Sequence, residues 1–326
     1  MCGGAGFARY KRPMNAPIDP RKFQDPVKTA KGERRALVSF TGLKTLWFNS
    51  GSLCNIECAN CYIQSSPTAD HFVYLTPDDM RPYLDEIDTL GYGKVEIAFT
   101  GGEPYLNPHM IKMSEMALER GHELLILTNA MKPMMRPRVQ KGLLDLNERY
   151  GDKMTLRVSL DHFTEDGHDA ERGDGSFTIA LKGMAWLTEH KFKLNIAGRS
   201  AFAESEDDAR TGYAALIKDE GWNIDASDPA ATLLFPEMDE NVDVPEITTE
   251  CWDILSVSPD SMMCANSRMV VKRKGESQAA VLACTLLWDD PQFETGKTLA
   301  ESRKAVRLNH PHCAKFCVLG GASCSA

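Results

Sequence analysis

The sequence predicts an α/β fold built on a parallel sheet, followed by a small cysteine-rich module. Three observations carry this. Short apolar runs alternate with amphipathic stretches six times between about residues 44 and 236, which is the signature of strand–helix units laid in parallel. The runs are continuously apolar, as strands buried on both faces are. After about residue 245 the alternation stops, and six cysteines follow: Cys251, Cys264, Cys284, Cys313, Cys317 and Cys324.

Each element has its own reason. KTLWFN (44–49) reads as the first strand. Thr76, Pro77 and Asp79 open a helix with Met80, Leu84, Ile87 and Leu90 on one face. Thr76 and Asp79 have capping-box spacing, and Pro77 suits the first helical position. VEIAFT (95–100) is a buried strand ended by Gly101-Gly102. A helix over 108–120, a strand ELLILT (123–128) and a helix over 136–150 follow. MTLRVSL (154–160), FKLNIA (192–197) and TLLFP (232–236) are further strands, with helices over 176–190 and 206–220 between them. MVVKRK (269–274) and AAVLAC (279–284), joined by GESQ, read as a β-hairpin. Six units suit either an open doubly wound sheet or an incomplete barrel, and in both the active positions lie at the C-terminal ends of the strands. The expected divisions are a basic arm containing Pro and Gly over 1–43, an α/β core over 44–245 and the cysteine module over 246–326.

Composition narrows the function. The 326 residues carry a net charge of −9, which argues against general nucleic-acid binding. No apolar run approaches the ~18 residues that span a bilayer, and MCGGAGFARYKR has no apolar core of a secretory signal. A cytoplasmic chain is expected, without a membrane or nucleic-acid partner. There, ten cysteines point to metal binding or catalysis rather than disulfides.

Cys54, Cys58 and Cys61 lie just beyond the first strand. Three closely spaced thiolates can hold three corners of a cubane iron–sulfur cluster, whereas an electron-transfer cluster normally has four cysteine ligands. The fourth iron then stays open, and an open coordination position is what catalysis needs. Two glycines at 101–102 let backbone carbonyls approach a ligand closely, and Pro104 stiffens that turn.

At these residues the sequence resembles the radical S-adenosylmethionine (radical SAM) enzymes. The resemblance rests on Cys54, Cys58 and Cys61 in LCNIECANCY and on Gly101-Gly102-Glu103-Pro104 at the end of the second strand. Thr128-Asn129 after the third strand, Ser159-Leu160-Asp161 in the fourth, and His168-Asp169 with Arg172-Gly173 extend it over roughly residues 44–240. It implies a partial (β/α)6 TIM-like barrel. It also implies a [4Fe-4S] cluster on Cys54, Cys58 and Cys61, with S-adenosylmethionine on the open iron and reductive cleavage to a 5′-deoxyadenosyl radical. Expected contacts to S-adenosylmethionine come from Gly101, Gly102, Glu103 and Pro104 to its ammonium, from Thr128, Asn129 and Ser159 to ribose or carboxylate, and from Arg199 to the carboxylate. The family usually has an aromatic residue directly before the third cysteine. Asn60 stands there in this sequence, with Tyr62 after the cysteine; a backbone contact to adenine survives this exchange and the apolar wall does not.

The C-terminal cysteines resemble the twitch or reduced SPASM module, which implies an auxiliary [4Fe-4S] cluster. The expected ligands are Cys264, Cys284, Cys313 and Cys317, with Cys324 as a replacement for one of them. A flavodoxin or ferredoxin is the expected reductant, and a peptide, small molecule or cofactor precursor the expected substrate. Two other readings remain open on the residues alone: a non-enzymatic iron–sulfur electron-transfer protein and a zinc-stabilised interaction module. Asp161, His162, His168 and Arg172 follow the fourth strand and are candidates either for facing substrate or for a local helix-start network.

Overall fold

The computed structural model describes residues 16–200, 204–236 and 239–321. Cys324 lies outside the described residues. The chain divides into two compact units, one of residues 43–234 and 267–302 and the other of residues 1–42, 235–266 and 303–326.

The larger unit is organised by a nine-stranded sheet. Its first two strands are β2 (Thr45–Asn49) and β3 (Glu96–Thr100), followed in the chain by β4 (Glu123–Thr128), β5 (Met154–Ser159), β6 (Lys193–Ser200), β7 (Thr232–Pro236), β8 (Ser267–Val271), β9 (Ala280–Leu282) and β10 (Glu294–Gly296). The spatial order is β10-β9-β8-β2-β3-β4-β5-β6-β7. Strands β8, β2, β3, β4, β5 and β6 pair in parallel, so the ends of β2 through β6 share one edge of the sheet. The register aligns Phe48 with Phe99, Phe99 with Ile126, Ile126 with Leu156 and Leu156 with Leu194. All five are buried, which is why these runs are apolar without alternation. A mixed α/β fold on a parallel central sheet is therefore present, with β10 and β7 at the two edges and no closure into a full barrel among the described residues.

Helices α1 (Pro77–Thr89), α2 (Met110–Glu119), α3 (Pro137–Tyr150), α4 (Glu165–Arg172), α5 (Ser176–Glu189) and α6 (Glu206–Glu220) connect the strands. The capping box of α1 forms: Thr76 accepts from the Asp79 amide at 3.3 Å, and Asp79 accepts from the Thr76 amide at 3.0 Å. Met80, Leu84 and Ile87 are fully buried. Helix α4 is the element the periodicity does not show, because its buried face consists of His168 and Glu171 rather than apolar residues.

The hairpin expected inside the C-terminal module instead continues this sheet. β8 pairs in parallel with β2, and β9 and β10 add to it in antiparallel fashion. The fully buried Met269, Val270 and Val271 make β8 an interior strand, which their uninterrupted apolar run permits.

In the smaller unit, β1 (Leu37–Val38) pairs antiparallel with β11 (Val306–Arg307). Helices α7 (Cys251–Leu255) and α8 (Met263–Asn266) and a π-helical turn over Cys313–Val318 belong to it. Arg35, from the basic N-terminal stretch, is fully buried. It pairs with Glu246 at 2.5 Å and donates to the carbonyls of Asp25 and Lys28 at 3.0 Å each. A buried guanidinium needs such partners. No helix among the described residues is long and apolar enough to cross a membrane.

Candidate active site

The site is built at the strand edge from β2 outward. After Asn49 the chain turns into the loop that carries Cys54, Cys58 and Cys61. This loop lies against the Gly101-Gly102-Glu103 turn that ends β3. Gly102 donates to the Gly51 carbonyl at 2.9 Å, and Glu103 donates to the Leu53 carbonyl at 3.1 Å. A Cβ on Gly102 would stand 2.2 Å from the Leu53 oxygen, and one on Gly101 would stand 2.5 Å from the Gly51 oxygen. Gly101 also has φ +142°. The two glycines thus admit the cysteine loop itself. Asn107, buried after the same turn, holds the carbonyls of Ser50 and Leu75 at 2.9 and 2.8 Å.

Glu103 joins the ends of β3 and β4. Its carboxylate accepts from Thr128 Oγ1 at 2.9 and 3.1 Å, from the Asn129 amide at 2.9 Å and from the Tyr105 amide at 3.1 Å. It is 2% exposed. Burial raises its carboxyl to about 7 against these hydrogen bonds. Asn129 then reaches the loop, donating to Asn55 Oδ1 at 3.0 Å and approaching Cys54 Sγ at 3.9 Å. Residues from β3, β4 and the cysteine loop are so linked in one buried network. Pro104 starts a short turn in which it is buried, and Ser159 ends β5 half-buried.

The thiols lie in a poorly solvated place. Burial raises the Cys54 thiol to about 12 and raises Cys58 as well. Cys54 feels Cys58, and Cys58 feels Cys61. The Cys61 sulfur accepts from the Ser65 amide at 3.3 Å. Among the described residues no three His, Cys, Asp or Glu side chains are drawn together at metal-holding separation.

A second network backs the loop. Asp161 is almost fully buried. Arg172 donates to it from Nε at 2.8 Å and from a terminal nitrogen at 3.3 Å, and Arg199 Nε lies 3.4 Å from its other side. Burial alone would raise this carboxyl; the two guanidinium groups bring it below the usual range. Arg172 also acts electrostatically on Cys54 and Cys58. Arg199 donates to the Asn60 carbonyl at 2.8 Å and to the Tyr62 hydroxyl at 3.1 Å, and stacks over the Tyr62 ring at 5.0 Å. Arg199 is thus engaged by the cysteine loop. His168 is fully buried; its Nδ1 accepts from the Asp161 amide at 3.2 Å, and burial lowers its pKa to about 4. His162 bonds Thr164 at 2.7 Å and Glu204 at 3.0 Å. Asp161, His168 and Arg172 are thus linked to one another, while His162 bonds Thr164 and Glu204.

Three contributors carried no sequence signal of their own. Glu171 accepts from Asn60 Nδ2 at 2.8 and 2.9 Å. Asn55 joins Asn129. Trp288 donates to the Tyr62 carbonyl at 2.7 Å and stacks on His71 with centroids 4.4 Å apart. Only the spacing of charged and aromatic residues around α4 and after the hairpin could have flagged them.

The remaining cysteines fall in both units. Cys284 ends the β8–β9 hairpin, and its sulfur accepts from the Leu286 amide at 3.4 Å. Cys264, Cys313 and Cys317 belong to the smaller unit. Cys313 and Cys317 stand four positions apart on one π-helical turn, the first buried and the second half-buried.

Comparison with known proteins agrees with this geometry. The Radical SAM superfamily profile matches residues 48–200. The antilisterial bacteriocin subtilosin biosynthesis protein AlbA of Bacillus subtilis is 30% identical over 145 residues, 44% of this chain and 30% of that protein. The Fe-coproporphyrin III synthase of Methanosarcina barkeri is 26% identical over 149 residues, 46% of this chain and 35% of that protein. The chain thus spans about a third of the length of these relatives. Among solved structures, Streptococcus suis SuiB bound to precursor peptide SuiA superposes with a TM-score of 0.58 at 12% identity, covering 79% of this chain and 63% of that one; this likeness concerns the fold. Members of the superfamily use a [4Fe-4S] cluster and S-adenosylmethionine, and thiols are the ligands such clusters take. Over residues 48–200, a little under half of the chain, the sequence matches the radical SAM superfamily.

Proposed function

We propose that the protein is a radical SAM enzyme in which Cys54, Cys58 and Cys61 hold three irons of a [4Fe-4S] cluster and the fourth iron takes S-adenosylmethionine. The donor set fits: three thiols share one loop, Cys54 buried and Cys58 and Cys61 half-buried, with the fixed charge of Arg172 acting on Cys54 and Cys58. When bound, the cluster and S-adenosylmethionine supply a one-electron cleavage that delivers a 5′-deoxyadenosyl radical for hydrogen abstraction from substrate. The chain's own residues position and exclude water. Glu103 holds Thr128 and Asn129 at the strand edge, and Asn129 reaches back to Asn55. Gly101, Gly102 and Pro104 let that edge meet the cysteine loop. Ser159 and the backbone of Asn60 border the same edge and are the remaining S-adenosylmethionine contacts in this reading. The observation that carries the proposal is the unbroken chain of hydrogen bonds from Glu103 through Asn129 to the cysteine loop.

A second, auxiliary [4Fe-4S] cluster draws on the C-terminal cysteines Cys264, Cys284, Cys313 and Cys317, with Cys324 as the replacement ligand. The substrate is a peptide or a cofactor precursor. The two relatives support that pair of classes, one by its name a bacteriocin biosynthesis protein and the other a porphyrin synthase. A flavodoxin or ferredoxin supplies the electron, and the enzyme works in the cytoplasm.

Anaerobic reconstitution followed by dithionite and S-adenosylmethionine tests this directly. The expected products are methionine and 5′-deoxyadenosine, with about eight irons per chain for two cubane clusters. A fully loaded protein that forms no 5′-deoxyadenosine overturns the enzymatic reading, and about four irons per chain overturns the auxiliary cluster.

A further inference from the structure

The segment between Cys58 and Cys61 is held by protein groups from outside the loop. Asn60 Nδ2 donates to both oxygens of Glu171, at 2.8 and 2.9 Å. The Ala59 amide donates to the Glu171 carbonyl at 2.8 Å. The Asn60 carbonyl accepts from Arg199 at 2.8 Å. Glu171 is the penultimate residue of α4 and is 9% exposed. The last carbonyls of a helix have no partner within it, and here one of them is satisfied by the cysteine loop. An aromatic residue in place of Asn60 would offer packing only. Asn60 offers an amide that a buried carboxylate can hold.

We propose that Glu171 is a positioning residue for the cysteine loop. It fixes the Cys58–Cys61 segment through Asn60 and Ala59. The inference rests on the reading that these cysteines hold a cluster. Three physical points support it. Asn60 Nδ2 reaches both Glu171 side-chain oxygens, at 2.8 and 2.9 Å, which fixes the orientation of the segment. Loss of the Asn60 donor leaves the largely buried Glu171 carboxylate short of a partner, which costs more than the bond itself contributes. The same segment is tied at two further points, by the Ala59 amide on the Glu171 carbonyl and by Arg199 on the Asn60 carbonyl.

The test is a charge-and-amide exchange on the full-length reconstituted protein. Asn60→Asp sets two carboxylates against each other, and Glu171→Ala removes the acceptor. Each should raise the rate of iron extraction by a chelator, followed by the fading of cluster absorbance, by about tenfold or more. Each should also alter the electron paramagnetic resonance spectrum of the reduced cluster. Glu171→Gln retains an acceptor and should stay near wild type. The double variant Asn60→Asp/Glu171→Gln restores a donor–acceptor pair in reverse and should return the extraction rate to within about threefold of wild type. Melting of the metal-free variants separates loop positioning from global unfolding. Wild-type extraction rates and spectra in both Asn60→Asp and Glu171→Ala overturn the proposal, as does a double variant no better than Asn60→Asp. 5′-Deoxyadenosine formation by the wild type reports separately on the enzymatic reading, because extraction is read without S-adenosylmethionine.

Discussion

Replacing Gly102 by alanine should disable the site with a modest loss of stability. The added Cβ would stand 2.2 Å from the Leu53 oxygen, 2.5 Å from the Leu53 carbonyl carbon and 2.8 Å from the Ser52 oxygen. Ordinary contact begins near 3.4 Å, so the loop must withdraw by about 1 Å. It cannot do so freely. Gly102 and Glu103 donate to Gly51 and Leu53, Ser52 donates to Phe72 at 3.1 Å, and Cys54 donates to Ser66 at 3.0 Å. Overpacking of this kind costs about 1–3 kcal/mol, and one stretched hydrogen bond adds about 1 kcal/mol. At roughly 2–4 °C per kcal/mol the melting temperature falls by about 4–16 °C, and the chain remains folded at 25 °C. Displacing a reacting constellation by about 1 Å costs on the order of 100-fold in rate. The assay is iron content, melting and 5′-deoxyadenosine formation on Gly102→Ala beside Gly121→Asn, a position where an added Cβ meets nothing nearer than 3.9 Å. A Gly102→Ala protein with wild-type melting and wild-type cleavage refutes the packing argument.

Two further outcomes follow from the network behind the loop. Asp161→Asn leaves Arg172 and Arg199 buried beside a neutral amide; breaking such a site costs about 3–5 kcal/mol, so an unchanged melting temperature would count against the charge assignment. His168 is depressed to about 4 from an ordinary 6.5, so the unfolded chain takes up its proton first as pH falls. Stability should be unaffected by this group above pH 6.5, decline between pH 6.5 and 4, and lose about 3 kcal/mol in all. His168→Asn, which keeps an acceptor for the Asp161 amide, should flatten that part of the pH–melting curve; an equal slope in variant and wild type assigns the decline elsewhere.

Legibility differed from element to element. The capping box at Thr76 and Asp79 could be read because both partners lie within one turn. The strands from β2 to β7 could be read because burial on both faces leaves an apolar run in the chain. Gly101 and Gly102 were recognisable as close-approach positions, but what approaches them is the cysteine loop about fifty residues earlier, a pairing no local pattern records. The hairpin was visible as a hairpin, whereas its parallel pairing with β2 joins residues 222 positions apart. Arg199 shows the same limit. It lies near the end of β6, and its contacts to Asp161 and to the Asn60 carbonyl come from distant segments.

The sequence by itself determined the fold class, the thiol-rich loop after the first strand and the superfamily those features resemble. Hydrophobic period, turn residues and ligand spacing are local properties, carried by residues a few positions apart. Only the tertiary structure decided how the loop is held: by the backbone of Gly102 and Glu103, by Glu171 on Asn60, and by Arg172 and Arg199 around Asp161. Polar contacts between distant segments depend on the sheet order and register that bring them together, and a buried charge acquires its meaning from the partner that the fold places beside it.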